Sequence, residues 1–269
     1  MTDSSLPSDP SPPRVVRPAV IAPPPVTLAR RAVPTVRPRR VPPPSVLPLM
    51  LVIGTFAGMM GVSFAHSVWG MFTAEAAADQ PDEVIRARMV NELLVFEGVD
   101  TLIVLAGLLV AGRPRPTPAA GRPTLAWAFA VPGFVLLIGF NIGYTLALRA
   151  IAQAVAPPDP ETVMIDVGLR QGAWAILLIC VQPAVIEELF FRHLLYGHLR
   201  SHLGVHAAVW VSAVIFGMAH LGNVGGWPVL IVVGAGLGYA RAYSGGLALP
   251  IVLHFLHNLT VLGADELLR

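Results

Sequence analysis

The stretch Ile176-Leu177-Leu178-Ile179-Cys180-Val181-Gln182-Pro183-Ala184-Val185-Ile186-Glu187-Glu188-Leu189-Phe190-Phe191-Arg192 is apolar, apart from Gln182 and Pro183, until it meets two adjacent glutamates. An apolar run of about 20 residues has the length of a membrane-spanning helix. Ionisable groups inside such a helix are costly, which makes Glu187 and Glu188 suspects for function rather than decoration. Six more apolar runs surround this one, so that the set reads approximately 47–70, 90–112, 124–148, 171–191, 205–221, 227–243 and 246–263. The expected fold class is therefore all-α: a polytopic membrane helical bundle of about seven transmembrane helices, within a range of six to eight. Composition agrees, because 55% of residues are apolar and only 13% are charged, against about 25% charged in soluble domains.

Residues 1–44 are rich in Pro and Arg without a sustained hydrophobic period and are expected to form a disordered tail. The expected organisation is that tail, N-terminal transmembrane helices over 45–169, and a catalytic transmembrane region over 170–263. All basic residues are Arg, and seven precede residue 41 against two acids, which places the tail in the cytoplasm by the positive-inside rule. The loop 113–123, with Arg113, Arg115 and Arg122 and no acid, falls on the same side. The basic excess flanks membrane segments, so no nucleic-acid partner is expected. The first apolar run is too long for a signal peptide. The Arg-only basic set and the Ala/Pro/Gly/Val-rich composition point to a high-GC bacterium, hence to its plasma membrane. The single cysteine, Cys180, excludes an intrachain disulfide and reads as a small apolar helix residue.

Helical spacing separates the polar residues by role. Glu188 and Arg192 stand at i and i+4, share a face and form the favourable orientation for an ion pair, which leaves Glu187 as the free carboxylate. Phe216 and His220 repeat the spacing, so an aromatic ring walls the face that carries the imidazole. His254 and Asn258 repeat it again and offer two donors on one face, while His257 points elsewhere and reads as structural. These residues compose a hydrolytic site. Glu187, assisted by His220, deprotonates a water, and His254 with Asn258 stabilises the oxyanion of a tetrahedral intermediate. An alternative route uses Glu187, His220 and His254 as three ligands of Zn²⁺ with one open position, although the H-E-x-x-H helical zinc signature is absent.

The ordered set E-E-x-x-x-R, F-x-x-x-H and H-x-x-x-N, carried by Glu187, Glu188, Arg192, Phe216, His220, His254 and Asn258, resembles the CPBP or ABI group of intramembrane endopeptidases. That group includes type II CAAX prenyl proteases and proteins linked to bacteriocin self-immunity. The resemblance covers about residues 170–262. It implies that Glu187 and His220 activate water, that His254 and Asn258 form the oxyanion site, and that Glu188, Arg192 and Phe216 support them. It leaves open a glutamate-type or a zinc-dependent metalloprotease mechanism. The implied partner is a peptide or membrane-protein substrate in the lipid bilayer, with a short peptide precursor or a membrane protein's tail favoured over a prenylated CAAX peptide.

Bland readings compete at each position. The glutamates can cap a span whose charges reach the interface, and His193, His198, His202 and His206 read as interfacial loop residues. Glu97 and Asp100, at i and i+3 inside the second span, are either a packing pair or polar neighbours of Glu187. Gly234, Gly236 and Gly238 read as a small-residue packing surface. Two other function classes fit the same composition: a non-catalytic scaffold or immunity-type protein that only holds a membrane peptide, and a proton-coupled transporter.

Overall fold

The computed structural model describes residues 45–77, 80–114, 118–155 and 173–267. The tail 1–44 and the first residues of the fourth expected span lie outside them. Seven helical segments follow one another: α1 (Leu47–Ala77), α2 (Asp82–Val110), α3 (Pro123–Val155), α4 (residues 173–203), α5 (Val205–Ala219), α6 (Trp227–Ser244) and α7 (Ala248–Leu267). No strand occurs among the described residues. Four of these helical stretches, Leu47–Thr73, Glu83–Val110, Pro123–Val155 and Val224–Ser244, are long and apolar enough to cross a membrane. The chain is a polytopic helical membrane protein, and its outward-facing Phe72, Leu109, Phe129 and Leu136 suit a lipid surround.

The fourth segment departs from the sequence expectation. The helix does not give way to a loop at Arg192 but continues to Leu203, and Tyr196, His198 and Leu199 along this extension are buried. His193, His198 and His202 therefore sit on a helix rather than in an interfacial loop, and His206 opens α5. Several histidines near an arginine lower hydropathy enough to imitate a loop, but the apolar residues between them still supply a core-facing stripe.

Two wide π-helical turns, Ile176–Val181 and Leu189–Leu195, interrupt α4 on either side of Gln182–Glu188. Pro183 explains the first. It has no N–H to give the carbonyl of Ile179 four residues earlier, so the regular ladder cannot close there.

The core forms where α1, α2, α4, α5 and α6 meet, around Val52, Val104, Phe190, Phe191, Tyr196, Val209 and Phe216. A smaller cluster of Val229, Val233 and Leu237 from α6 packs with Leu137 and Tyr144 of α3 and Leu253 of α7. Helices α5 and α6 form the most extensive contact. Gly234 faces the Ala213 backbone and Phe216, and Gly238 faces Val209, so the small-residue surface is a packing surface. Gly217 is tighter still: a Cβ there would stand 2.6 Å from Ile231 Cγ1 and 3.1 Å from the Trp227 carbonyl oxygen. Gly217→Ala should cost about 1–3 kcal/mol, read as a lower melting temperature. Gly139→Ala, on α3 with nothing within 4 Å of the added carbon, should be neutral or stabilising.

Candidate active site

Glu188 and Arg192 are fully buried, and Arg192 Nη1 lies 3.0 Å from Glu188 Oε1, the ion pair expected from spacing. The guanidinium is held on two further sides. Its Nη2 donates to the Gly234 carbonyl at 3.1 Å, and its Cζ lies 4.6 Å from the centre of the Phe216 ring. Phe216 is thus more than a wall, because it covers the cation while contacting the rings of both His220 and His254 at 5.1 and 5.8 Å.

Spacing within α7 carries no sign of the next connection. His254 Nδ1 lies 3.0 Å from Glu188 Oε1, and since a carboxylate only accepts, the imidazole donates there. Glu188 therefore serves two cations or donors at once, Arg192 along its own helix and His254 across to α7. The other ring nitrogen, His254 Nε2, points toward Glu187 and lies 4.0 Å from its Oε2. That oxygen is shielded and has no hydrogen-bond partner among the described residues, although the Glu187 side chain as a whole remains 23% exposed. The exposed part of the Glu187 side chain borders open space in the bundle, and no hydrogen bond among the described residues commits its carboxylate.

His220 falls just past the end of α5. Its backbone N–H donates to the Gly217 carbonyl, and its carbonyl accepts from Trp227 Nε1 at 3.0 Å. Its Nδ1 lies 2.9 Å from the Phe216 carbonyl oxygen. A carbonyl only accepts, so Nδ1 carries the proton and Nε2 presents a lone pair. Asn258 Nδ2 donates to the Ile179 carbonyl at 3.1 Å, the group that Pro183 leaves without its helical donor. One of the two amide hydrogens thus ties α7 to the first wide turn of α4. The second remains for a ligand.

His257, read as structural, is buried and lies 3.4 Å from Asn141 Nδ2 on α3 through its Nε2. Cys180 is fully buried, as a small apolar helix residue would be.

Two cavities meet at this site. The larger, of about 640 Å³, lies among α3, α4, α5, α6 and α7 and is lined by Asn141, Tyr144, Glu187, His220, His254 and Asn258. The smaller, of about 280 Å³, opens between α1, α2 and α4 and is lined by Ser63, His66, Glu97, Asp100, Glu187 and His220. Glu97, Glu187 and His220 border both. Glu97 and Asp100 are thus neighbours of Glu187 and not merely a packing pair. Gln182, which donates to the Glu97 carbonyl and to Thr101 Oγ1, fixes α4 against α2 beside them. A lone amide in an apolar span is the sequence signal for Gln182; nothing in the spacing marks Asn141 or Tyr144.

Geometry decides whether this donor set suits a metal. Both imidazoles have Nδ1 fixed by an acceptor, as metal-bound histidines often do, so that a neutral ring at either place would turn an Nε2 lone pair to the cavity. Yet no three His, Cys, Asp or Glu side chains among the described residues converge as a metal-holding group. The residues as placed do not fit Zn²⁺, and no chemical step is derived through it.

Residues 169–260 match the family model of the type II CAAX prenyl endopeptidase, Rce1-like, which spans all three motifs. The membrane-embedded CAAX protease MroQ of Staphylococcus aureus (strain USA300) is 25% identical over 187 residues, covering 65% of this chain and 73% of that protein. No solved structure matches the chain.

Proposed function

We propose, for a chain whose residues 169–260 are of the Rce1-like family, that it is an intramembrane endopeptidase of the glutamate type, cleaving a peptide or the tail of a membrane protein. The observation that carries the proposal is the unpartnered Glu187 Oε2 facing His254 Nε2 at 4.0 Å across the junction of the two cavities.

In this reading the peptide occupies the larger cavity and a water sits between Glu187 and His220. The water gives one hydrogen bond to the Glu187 carboxylate and the other to the bare Nε2 of His220. Glu187 takes the first proton as the water oxygen bonds to the peptide carbonyl carbon. The carbonyl π-electrons move onto oxygen, and the resulting oxyanion accepts from His254 Nε2–H and from the second amide hydrogen of Asn258. On collapse the C–N bond breaks, and Glu187 returns its proton to the departing amine. For His254 to donate from both ring nitrogens it must be an imidazolium, with Glu188 holding its Nδ1–H. Glu187, Glu188, Arg192 and His254 then sum to zero charge, a state that a buried cluster tolerates best. As the charge of Glu187 is neutralised by the water proton, an equal charge appears on the oxyanion, and His254 faces both positions.

Water reaches Glu187 from the smaller cavity while the peptide fills the larger, so Glu97 and Asp100 would hold that water supply. The N-terminal tail and the ends carrying Arg113, Arg122, Arg200 and Arg241 belong on the cytoplasmic side of a bacterial plasma membrane in this reading.

The test is to incubate the purified full-length protein in detergent with a peptide library, with and without a chelator, reading new termini by mass spectrometry and metal content by elemental analysis. Cleavage that survives chelation supports the glutamate route. No cleavage under either condition, with metal supplied or removed, would overturn the function. Loss on chelation with recovery on added zinc would replace the mechanism by the metal-dependent one.

A further inference from the structure

Successive helices run in alternate directions. Thr55 of α1 packs where Gly107 of α2 carries no Cβ, and further along the same pair His66 meets Phe96. Ala120 N–H, just ahead of α3, donates to the Ala242 carbonyl near the close of α6, while Tyr144, farther along α3, donates its hydroxyl to the Gly225 carbonyl just before α6 begins. Arginines divide unevenly between the two ends so defined. Arg113, Arg122, Arg200 and Arg241 mark one end, and chain order adds Arg115 and the five Arg between residues 30 and 40 that precede α1. Chain order assigns Arg86, Arg88, Arg149, Arg170 and Arg269 to the other, among five acids over residues 75–92, three over 159–166 and two at 265–266. The positive-inside rule therefore sets the first end in the cytoplasm.

Both catalytic cavities lean toward the opposite end. Helix α5 runs away from the arginine-rich side, and His220 stands immediately past its far terminus. The link from there to α6 is exposed over residues 221–225. Leu221 and Gly222 of that link line the smaller cavity, and Asn223 and Gly226 line the larger. Ser63, His66 and Ser67, in the second half of α1, complete the polar rim of the smaller cavity. Tyr144 and Thr145, in the second half of α3, do the same for the larger. Trp227 Nε1 on the His220 carbonyl and Tyr144 on Gly225 hold this rim in place.

In the other direction the bundle is packed. Beyond Glu187, α4 buries Phe190, Phe191, Leu194, Leu195 and Tyr196 in succession, and the core around them takes in Val52 near the start of α1 and Val209 near the start of α5. Depth agrees with this picture. The 15 residues of α5 make a helix about 22 Å long, shorter than a hydrocarbon core about 30 Å thick. With the exposed His206 end at the cytoplasmic boundary, His220 lies about 8 Å inside the outer one.

We propose that the catalytic site receives its substrate from the extracytoplasmic face, so that the bond it cuts belongs to an exported or membrane-anchored polypeptide whose scissile segment has already crossed the membrane. The chemistry rests on the peptidase reading above, and the side rests on the arginine asymmetry. A translocation step must therefore supply this substrate. A cytoplasmic tail would have to pass the packed aromatic residues of α4 to reach Glu187, whereas an external segment meets the exposed link beside His220. Both new termini leave on the outer face, where the attacking water also enters.

The experiment places single cysteines in the full chain, with Cys180→Ala as background, and treats bacterial spheroplasts with a charged, membrane-impermeant thiosulfonate reagent. Val224→Cys, on the exposed link, and Thr145→Cys, on the wall of the larger cavity, should be labelled in intact spheroplasts. Leu203→Cys, exposed at the arginine-rich end, should be labelled only after lysis. The second arm reconstitutes the protein in liposomes with a peptide that the detergent library shows to be cut. Peptide added outside should be cleaved in proportion to the molecules whose Val224→Cys is labelled from outside, and sealed peptide by the remainder. Labelling of Leu203→Cys but not Val224→Cys in intact spheroplasts overturns the orientation. Labelling of Val224→Cys without Thr145→Cys, or cleavage that follows Leu203→Cys, overturns the outward opening. Labelling as expected with no peptide cut even in detergent instead sinks the peptidase reading, and the substrate class with it.

Discussion

Glu187→Gln should lower the turnover number by ~10²–10⁴-fold, the usual contribution of a positioned general base, and leave the melting temperature nearly unchanged. Glutamine keeps the shape of the side chain but cannot accept a proton from water. Glu187 Oε2 makes no hydrogen bond among the described residues, and a His254 that gives up its proton in the variant leaves Glu188, Arg192 and His254 at zero charge, so little native structure is lost. His254 Nε2 lies 4.0 Å away, and the main tether of that ring is to Glu188 rather than Glu187. The check is a kcat measured at saturating peptide, with melting curves of both proteins in the same detergent. A Glu187→Gln protein that cleaves at the wild-type rate would show that another group activates the water. Glu187→Asp is the informative companion. It keeps the base but withdraws it by one methylene, and should fall between the two because misplacement by about 1 Å already costs ~10²-fold.

The second large effect concerns stability. Arg192→Met should destabilise the fold by about 3–5 kcal/mol, the cost of stranding the buried partner of an ion pair. Glu188 would keep only the His254 contact, in a place with no solvent access. The Gly234 carbonyl would lose its Arg192 donor as well. At ~2–4 °C per kcal/mol for a chain of this size, the melting temperature should fall by ~6–20 °C. Glu188→Gln/Arg192→Met removes both charges and should recover most of that loss, because a buried pair replaced as a unit leaves nothing uncompensated. Activity should not recover with it, since His254 no longer has a carboxylate to hold its Nδ1–H. A double variant as unstable as Arg192→Met would mean that shape rather than charge holds the centre. Recovery of both stability and turnover would remove Glu188 from the positioning of His254.

Much of this site is legible in the residue order alone, and the reason is geometric. Glu188 and Arg192 are four residues apart on one helix, as are Phe216 and His220, so helical periodicity alone predicts their neighbours. The glycines of α6 are legible for a similar reason, since small residues at i and i+4 have few uses other than close packing. Contacts between helices are not legible. Glu188 and His254 are separated by 66 residues, and no periodicity within α4 or α7 says which carboxylate the imidazole will meet. The assignment of His254 as an oxyanion donor therefore acquires a condition that spacing does not reveal: its Nδ1 is already engaged, so donation must come from a protonated Nε2. Asn258 shows a partial case. Pro183 announces that the Ile179 carbonyl lacks its donor, but only the fold shows that Asn258 supplies it. Residues 192–203 imitate a loop when average hydropathy outweighs the positions of Leu195, Tyr196 and Leu199, which are buried. Glu97 and Asp100 are ambiguous in sequence because one helix cannot reveal what lies opposite it.

The two wide turns of α4 bear on how this chain should align with its relatives. A π-helical turn accommodates one residue more than an α-helix does while leaving the faces on either side in phase. Ile176–Val181 and Leu189–Leu195 are therefore places where a related sequence can be one residue shorter and still present the same carboxylates to the same partners. Between them no such freedom exists. A one-residue gap inside Gln182–Glu188 would swing Glu187 and Glu188 by about 100° relative to Pro183 and the Ile179 carbonyl. Single-residue gaps among relatives should thus gather on the two flanks of the glutamate pair and avoid the seven residues that carry it.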